Sequence, residues 1–145
     1  MRTLKILLIT LLISACSERE AKNIRVENGW IAEIPPIIKV TAALMTLHND
    51  SDKPRYLVAA SSPKAKSIEV HRSIVVDDLA KMILQPEVEI PAHDSVDFSS
   101  ESGYHLMFYG TEQIKEGQII PVILKFRDGT VLTVNYDVLD RRKKL

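Results

Sequence analysis

Two histidines and two methionines form the group of residues in this chain with the clearest capacity for chemistry. Ten residues separate His71 from Met82, and twenty-two residues later come His105 and Met107, with only Leu106 between them. Imidazole nitrogen and thioether sulfur are uncharged, soft donors, and thioethers bind Cu(I) far better than Mg²⁺, Ca²⁺, Mn²⁺ or Zn²⁺. The four side chains are therefore candidate ligands for one Cu(I) ion.

The spacing of His105 and Met107 predicts a strand at this position. Alternate residues of a strand project to the same face, whereas a helix would turn the two side chains about 200° apart. The competing interpretation is that these methionines fill a core beside ordinary hydrogen-bonded histidines. Apart from Met1 the chain has only Met45, Met82 and Met107, and two of the three fall in the group, which favours the metal site. Met45 lies in an apolar run, so we expect it in the core.

The N-terminus carries the pattern of an export signal over residues 1–15. Arg2 and Lys5 precede an apolar run of eight residues, and Ser14 and Ala15 precede Cys16. The apolar run is short for a transmembrane helix. The sequence Ile13-Ser14-Ala15-Cys16 resembles a bacterial lipobox, which predicts that Cys16 is acylated and becomes the mature N-terminus. By analogy with that class, Ser17 favours the outer membrane over the inner one.

Cys16 is the only cysteine, which excludes several classes of protein. An intramolecular disulfide is impossible, so the domain depends on its apolar core for stability. A blue-copper electron carrier needs a Cys thiolate beside two histidines, and lipidation of Cys16 would leave no thiolate. The chain has no Cys-x-x-Cys pair, so zinc-finger and thioredoxin-like sites are excluded as well.

The length of the chain predicts a single domain, and its charge balance predicts no nucleic-acid partner. Residues 16–22 read as the lipidated cysteine and a polar spacer, residues 23–140 as one metal-binding domain, and residues 141–145 as a basic, solvated tail. Lys and Arg together number 19, as do Asp and Glu. Such a balance predicts no binding to nucleic acid.

Short apolar strands with regular turns predict an all-β fold. We expect seven to nine strands, with Asp128-Gly129 as the turn of a tight hairpin, Asp77 and Asp78 in a loop, and Pro86 to Ser102 as a long loop. No segment has a convincing amphipathic helical pattern. The expected architecture is a Greek-key antiparallel β-sandwich or barrel.

These features together resemble the PCuAC family of periplasmic copper chaperones, also called DUF461, over nearly the whole mature domain. The matching segments are Val26-Glu27-Asn28-Gly29-Trp30, Ala42-Ala43-Leu44-Met45-Thr46-Leu47, Glu69-Val70-His71, Gly103-Tyr104-His105-Leu106-Met107 and Lys115-Glu116-Gly117. The resemblance implies a cupredoxin-like sandwich that holds one Cu(I) at an exposed edge through His71, Met82, His105 and Met107. It also implies delivery of copper to the dinuclear centre of cytochrome c oxidase, often alongside Sco-type thiol proteins.

The chain departs from the family pattern at four places. The spacer between Met82 and His105 is about one residue longer, which a loop absorbs at little entropic cost. Arg72 and Ser73 stand where members often carry another Met, and the Arg that commonly follows the tryptophan is absent after Trp30. The C-terminus also lacks a tail rich in His and Met. We therefore expect one copper per chain and no second, divalent site.

The sequence predicts a lipid-anchored Cu(I) carrier of the bacterial periplasm and not an enzyme. Its partner would be a copper-accepting envelope protein, either a cytochrome c oxidase subunit or a Sco-type protein. Two alternatives stay open. A copper-tolerance or sequestration lipoprotein would use the same site without a dedicated recipient, and a metal-free immunoglobulin-like binding module would share the sandwich without the ligand set.

Overall fold

Ten β-strands and one 3-10 turn form the regular structure of residues 19–143, the part of the chain that the computed structural model describes. The strands are β1 (Ile24–Ala32), β2 (Val40–Asn49), β3 (Arg55–Ser61), β4 (Ser67–Val76), β5 (Leu79–Leu84), β6 (Val88–Ile90), β7 (Asp94–Phe98), β8 (Tyr104–Tyr109), β9 (Ile119–Phe126) and β10 (Val131–Leu139). The 3-10 turn covers Arg141–Lys143. Within residues 19–143 no helix has the length and apolar character needed to cross a membrane. The predicted signal sequence and Cys16 lie outside the described residues.

The strands form one sheet that closes on itself. Their order is β5-β4-β8-β2-β1-β10-β9-β3-β6, and a further pairing of β3 with β4, through Ala60 and Ile68, completes the circle. β7 pairs with β2 outside this path. The strand pairings are antiparallel except that of β1 with β10, which is parallel. The all-β prediction is confirmed, with this parallel pair as a difference from the expected antiparallel sheet.

Alternation along the strands separates the core from the outer face. On β8, Leu106 and Phe108 are fully buried inside the barrel, so His105 and Met107 project to the other face. Met45 is buried, as expected, and its Sδ accepts a hydrogen bond of 2.8 Å from the hydroxyl of Tyr136. Burial raises the pKa of that phenol. The largest fully buried side chains are Tyr136, Phe98, Phe108, Phe126, Ile31, Leu47, Leu57, Ile90, Leu106, Ile114, Ile120 and Leu124.

The tight hairpin predicted at Asp128-Gly129 is present between β9 and β10. Gly129 has a φ of 80°, and its N–H donates to the carbonyl of Phe126 at 2.9 Å. Asp77 and Asp78 also have positive φ, of 51° and 61°, and form the two-residue turn between β4 and β5. Their conformation is that of a hairpin turn whose twist matches the flanking strands.

The loop predicted over Pro86 to Ser102 is wrong, because this segment contains β6 and β7. Val88 and Ile90 are buried on either side of an exposed Glu89, which is the alternation of a half-buried strand. With three residues, β6 is too short for its pattern to stand out in the sequence. The loop that precedes His105 is therefore only residues 99–103.

The N-terminal segment that reads as spacer is attached to the barrel from residue 19 onward. The carbonyl of Arg19 accepts a hydrogen bond from the Val131 N–H at 2.9 Å, and the Ala21 N–H donates to the Val131 carbonyl at 2.7 Å. Ala21 is buried in the core. Between Cys16 and this attachment point the sequence has only Ser17 and Glu18.

Candidate metal centre

Three neighbouring strands bring the four predicted ligands to one face of the sheet. In the register of β4 with β8, His71 stands opposite His105 and Glu69 opposite Met107. In the register of β4 with β5, Ser73 stands opposite Met82. Residues opposite each other in paired strands share a face, as do alternate residues along one strand. His71, Met82, His105 and Met107 therefore lie on the same outer face.

A cavity of about 240 Å³ lies on this face, and three of the four predicted ligands line it. These are Met82, His105 and Met107, and the other lining residues are Ala42, Leu44, Ser73, Ser99, Ser100, Gly103 and Arg141. His71 lies beside the cavity, with its ring centroid 5.8 Å from that of His105 and the two rings nearly perpendicular. Met82 is 61% exposed on the edge strand β5, whereas both imidazoles are buried. The arrangement is a buried pair of nitrogens with sulfur atoms toward solvent.

Glu69 determines which nitrogen of His71 is free. The Nε2 atom of His71 lies 2.8 Å from Oε2 of Glu69, two residues earlier on the same strand. An ionised carboxylate only accepts hydrogen bonds, so Nε2 carries the proton and donates it. The lone pair of His71 is then on Nδ1, a buried atom without a hydrogen-bond partner among residues 19–143.

Gly103 has the same effect on His105. Its carbonyl lies 3.0 Å from Nδ1 of His105, and a carbonyl can only accept. Nδ1 of His105 therefore donates and Nε2 carries the lone pair. This Nε2 atom is also buried, and no group in the described part of the chain forms a hydrogen bond with it.

Two buried imidazole lone pairs without partners fit a metal ion. A buried acceptor left unpaired is costly and calls for an explanation, such as an ion. Histidines that bind metals commonly donate the other ring N–H to a carboxylate or a backbone carbonyl, which is the arrangement at both residues here. Among the described residues, no three His, Cys, Asp or Glu side chains group into a metal site. The thioethers of Met82 and Met107 on the same face are the candidates for additional donors, and thioethers suit a soft ion.

Residues 99–103 connect β7 to β8 and form the floor of the cavity, where Ser99, Ser100 and Gly103 line it. β7 pairs with Met45–Asn49 and β8 with Val40–Ala43, so only one residue of β2 separates the two paired stretches. The five residues that connect β7 to β8 must therefore loop out of the sheet at this point. The Gly103 carbonyl also accepts the Ser73 N–H at 2.9 Å. Gly103 has a φ of 80°, and a Cβ there would lie 2.3 Å from the carbonyl oxygen of Ser73. Only glycine fits between β4 and β8 at this point.

Sequence reasoning missed three residues at the site: Glu69, Gly103 and Arg141. Glu69 and Gly103 each stand two residues before a predicted histidine ligand. In an extended segment this spacing places a hydrogen-bond acceptor on the same face as the imidazole, so the sequence did contain a signal for both residues. Arg141, which reads as part of a solvated tail, lines the cavity instead. Arg141 reaches the cavity because the chain turns after β10, and no sequence pattern near Arg141 predicts this turn.

The remaining histidines do not line the cavity, and the tryptophan lies next to one of its lining residues. His48 is half-buried, with Nε2 3.2 Å from Oε2 of Glu27. His93 is exposed, with Nε2 2.8 Å from Oδ1 of Asp52. Trp30 is half-buried opposite Leu44, which lines the cavity, so it lies at the rim.

Comparison with known proteins identifies the family. A family profile described as "Putative lipoprotein LpqE-like" matches residues 24–138. The chain belongs to this family. The family profile and the solved structures of PCuAC domains and of DR1885 together confirm the predicted resemblance to the PCuAC family. A relative from Leifsonia xyli subsp. xyli, described as "Putative lipoprotein Lxx21020", is 26% identical over 124 residues, which are 84% of this chain and 73% of the relative.

Solved structures give the same family and fold. The apo form of DR1885 from Deinococcus radiodurans is 30% identical and has a TM-score of 0.65, with 97% of this chain and 95% of that chain covered. The Cu(I) form of DR1885 is 32% identical, with a TM-score of 0.61 and coverage of 80% and 77%. The copper-bound PCuAC domain of PmoF2 has a TM-score of 0.68 over 86% of this chain and 98% of that domain, at 17% identity. This last likeness shows the fold alone, and the predicted cupredoxin-like β fold is confirmed.

Gly103→Ala tests how the cavity floor positions His105. We expect it to destabilise the protein by more than Gly129→Ala, which has the same φ of 80° but open space around its Cβ position. Gly129→Ala bears only the left-handed backbone cost of about 1–2 kcal/mol. Gly103→Ala adds the collision with Ser73 and displaces the carbonyl that holds Nδ1 of His105.

Chemical denaturation of the two variants measures the difference in stability, and long-range ¹H–¹⁵N NMR measures the tautomer of His105. Equal losses of stability, with the Nδ1–H tautomer kept in both variants, would contradict this account of Gly103.

Proposed function

We propose that this protein is a Cu(I) chaperone of the bacterial envelope, which carries one Cu(I) between His71, Met82, His105 and Met107 and passes it to a protein partner. The observation that supports this most directly is the pair of buried, unpartnered lone pairs on His71 Nδ1 and His105 Nε2. The Cu(I) form of DR1885, a relative 32% identical to this chain, supports the choice of ion.

The properties of the donors favour carriage over storage or catalysis. Four neutral donors leave the bound ion with its +1 charge, so no strong ionic bond has to be broken at transfer. Met82 is the most exposed of the four and lies on an edge strand, so a partner's donor can displace its thioether first. The buried imidazoles then release the ion last. This order of exchange keeps the copper coordinated throughout transfer.

We propose that acylated Cys16 anchors the protein to a membrane facing the periplasm, with Ser17 favouring the outer membrane. The lipoprotein descriptions of the family and of the Leifsonia relative support the anchor. Two acyl chains would hold the protein stably, whereas one would do so only marginally. The short distance between Cys16 and Arg19 keeps the barrel close to the bilayer, since three residue steps span at most about 11 Å.

The proposed recipient is a copper-accepting envelope protein, either a cytochrome c oxidase subunit or a Sco-type protein. The choice of recipient is supported by the resemblance to the PCuAC family and not by a feature of the site. The tolerance alternative uses the same ligands, so only a cellular phenotype separates it from delivery.

Removal of single sulfur atoms tests the ligand set. Met82→Leu and Met107→Leu keep apolar volume and delete one donor each, so we expect each to weaken Cu(I) binding by about tenfold or more, equivalent to about 1.4 kcal/mol. Met45→Leu is the matched control, because its sulfur lies in the core beside Tyr136. Competition with a Cu(I) chelator measures the Kd, and X-ray absorption reports sulfur and nitrogen scattering.

The wild-type protein should bind one Cu(I), with an affinity above that for Zn(II). Its core is apolar and independent of the metal, so the apo protein should be folded. At a hundredfold excess of copper over Kd, the holo protein should gain about 2.7 kcal/mol of stability by linkage. Loss of affinity in Met45→Leu equal to that in the site variants would sink the proposed ligands.

Cys16→Ala tests the anchor. We expect the variant to lose fatty-acid labelling and to leave the membrane fraction, because acylation requires the thiol. Labelling with a radioactive fatty acid, followed by membrane fractionation, measures both effects. Labelling of the variant at the wild-type level would show that the attachment point lies elsewhere.

Deletion of the gene tests delivery. We expect cytochrome c oxidase activity to fall when copper is scarce and to recover with added copper, because mass action loads the oxidase when copper is abundant. A His71→Ala variant should fold but fail to restore activity, since it lacks a ligand on the outer face and keeps the core. Oxidase activity is measured in membranes of the deletion strain and of both complemented strains, with chelator and with added copper. Normal activity under chelation together with sensitivity to excess copper would favour the tolerance protein.

A further inference from the structure

Within the described part of the predicted basic tail, residues 141–143, Arg141 is the one that reaches the candidate metal centre. It lines the cavity of about 240 Å³ together with Met82, His105 and Met107. The remaining lining side chains are apolar or hydroxyl groups, apart from Gly103, which has none. Among residues 19–143, Arg141 is therefore the only permanently charged group in the wall of this cavity.

The turn that carries Arg141 is held in place by its neighbours. Oδ1 of Asp140 accepts the Arg142 N–H at 2.9 Å, and Oδ2 of Asp140 lies 2.7 Å from Nη2 of Arg142. The Nζ atom of Lys143 lies 2.8 Å from Oε1 of Glu116. Hydrogen bonds from Arg142 lower the pKa of Asp140 to about 2, so this carboxylate stays ionised at any pH used for metal binding. The turn is fixed from both sides of Arg141.

Pairing with carboxylates neutralises the two neighbours but not Arg141. Arg142 and Lys143 each have an acidic partner, whereas none of the ion pairs within residues 19–143 includes Arg141. The carboxylate of Glu69 also lies near the candidate ligands. It accepts a hydrogen bond from Nε2 of His71, which is not the nitrogen with the free lone pair. Arg72 projects from the opposite face of β4, over the ring of Tyr104.

We propose that Arg141 determines charge selectivity at this site by repelling divalent cations more strongly than Cu(I). The inference rests on the proposed function, because it concerns the ion that His71, Met82, His105 and Met107 would hold. The four donors favour a soft ion through their sulfur atoms but carry no net charge, so a fixed charge in the cavity wall adds a separate electrostatic contribution. A guanidinium stays protonated at every relevant pH, so its repulsion is constant.

Coulomb's law makes the selectivity quantitative. A fixed positive charge repels a divalent ion twice as strongly as a monovalent one at the same place. For two unit charges at a separation of about 7 Å in a water-like dielectric, removal of one of them raises the affinity for a monovalent cation about threefold. The same change raises the affinity for a divalent cation by the square of that factor, about tenfold. Added salt reduces both factors, since Arg141 is exposed.

The test compares Arg141→Gln with Arg141→Lys and Lys125→Gln in the detergent-solubilised full-length protein. Kd values for Cu(I) and Zn(II) are measured by competition with a chelator for each ion. We expect Arg141→Gln to bind Cu(I) about threefold and Zn(II) about tenfold more tightly, and Arg141→Lys to keep the wild-type ratio. Lys125→Gln removes the same charge on β9, outside the cavity, and should leave both values unchanged.

Equal gains for the two ions, or no gain for either, would overturn the selectivity role while leaving the Cu(I) site intact. Arg141→Glu provides an independent check, because reversal of the charge should shift the ratio of the two affinities twice as far on a logarithmic scale. A wild-type protein that binds no Cu(I) would contradict the proposed function itself and remove this role with it.

Discussion

The carbonyl group of Gly103 is the point on which the geometry of the site depends. It accepts the Ser73 N–H of β4 and Nδ1–H of His105 on β8, so one oxygen both joins two strands and orients an imidazole. The residue that carries it must have a positive φ and no side chain, because a Cβ would collide with the Ser73 carbonyl. The register of β4 and β8, which places His71 opposite His105, is continuous with this contact. A backbone constraint thus determines where the lone pair of His105 points.

Strand alternation allows the site and the core to be built independently. Leu106 and Phe108 pack inside the barrel while His105 and Met107, one position away on the same strand, face outward. The barrel is closed by the pairing of β3 with β4, and its apolar interior contains none of the four candidate ligands. Met82 is exposed, so its substitution opens no cavity in the core, whereas truncation of either buried imidazole removes packed volume as well as a candidate donor.

Sequence reasoning succeeded where the signal was local and failed where it depended on distant strands. The alternation of His105 and Met107, the Asp128-Gly129 turn and the core position of Met45 all follow from patterns within a few residues. β6 and β7 were missed because strands of three and five residues give too little periodicity, and both depend on pairing with β3 and β2. Arg141 was missed because nothing near it in sequence shows that a turn after β10 returns toward β8.

The two ends of β10 relate the proposed anchor to the proposed copper site. Val131, its first residue, binds the N-terminal segment at Arg19 and Ala21, and Arg141, which lines the cavity, follows two residues after its last. Nine strand residues span about 26 Å, so attachment and cavity lie near opposite ends of one strand. With Cys16 acylated, as we propose, the bilayer would adjoin the Val131 end. A partner would then approach the exposed Met82 thioether from the aqueous phase, where a soluble domain can offer its own donors.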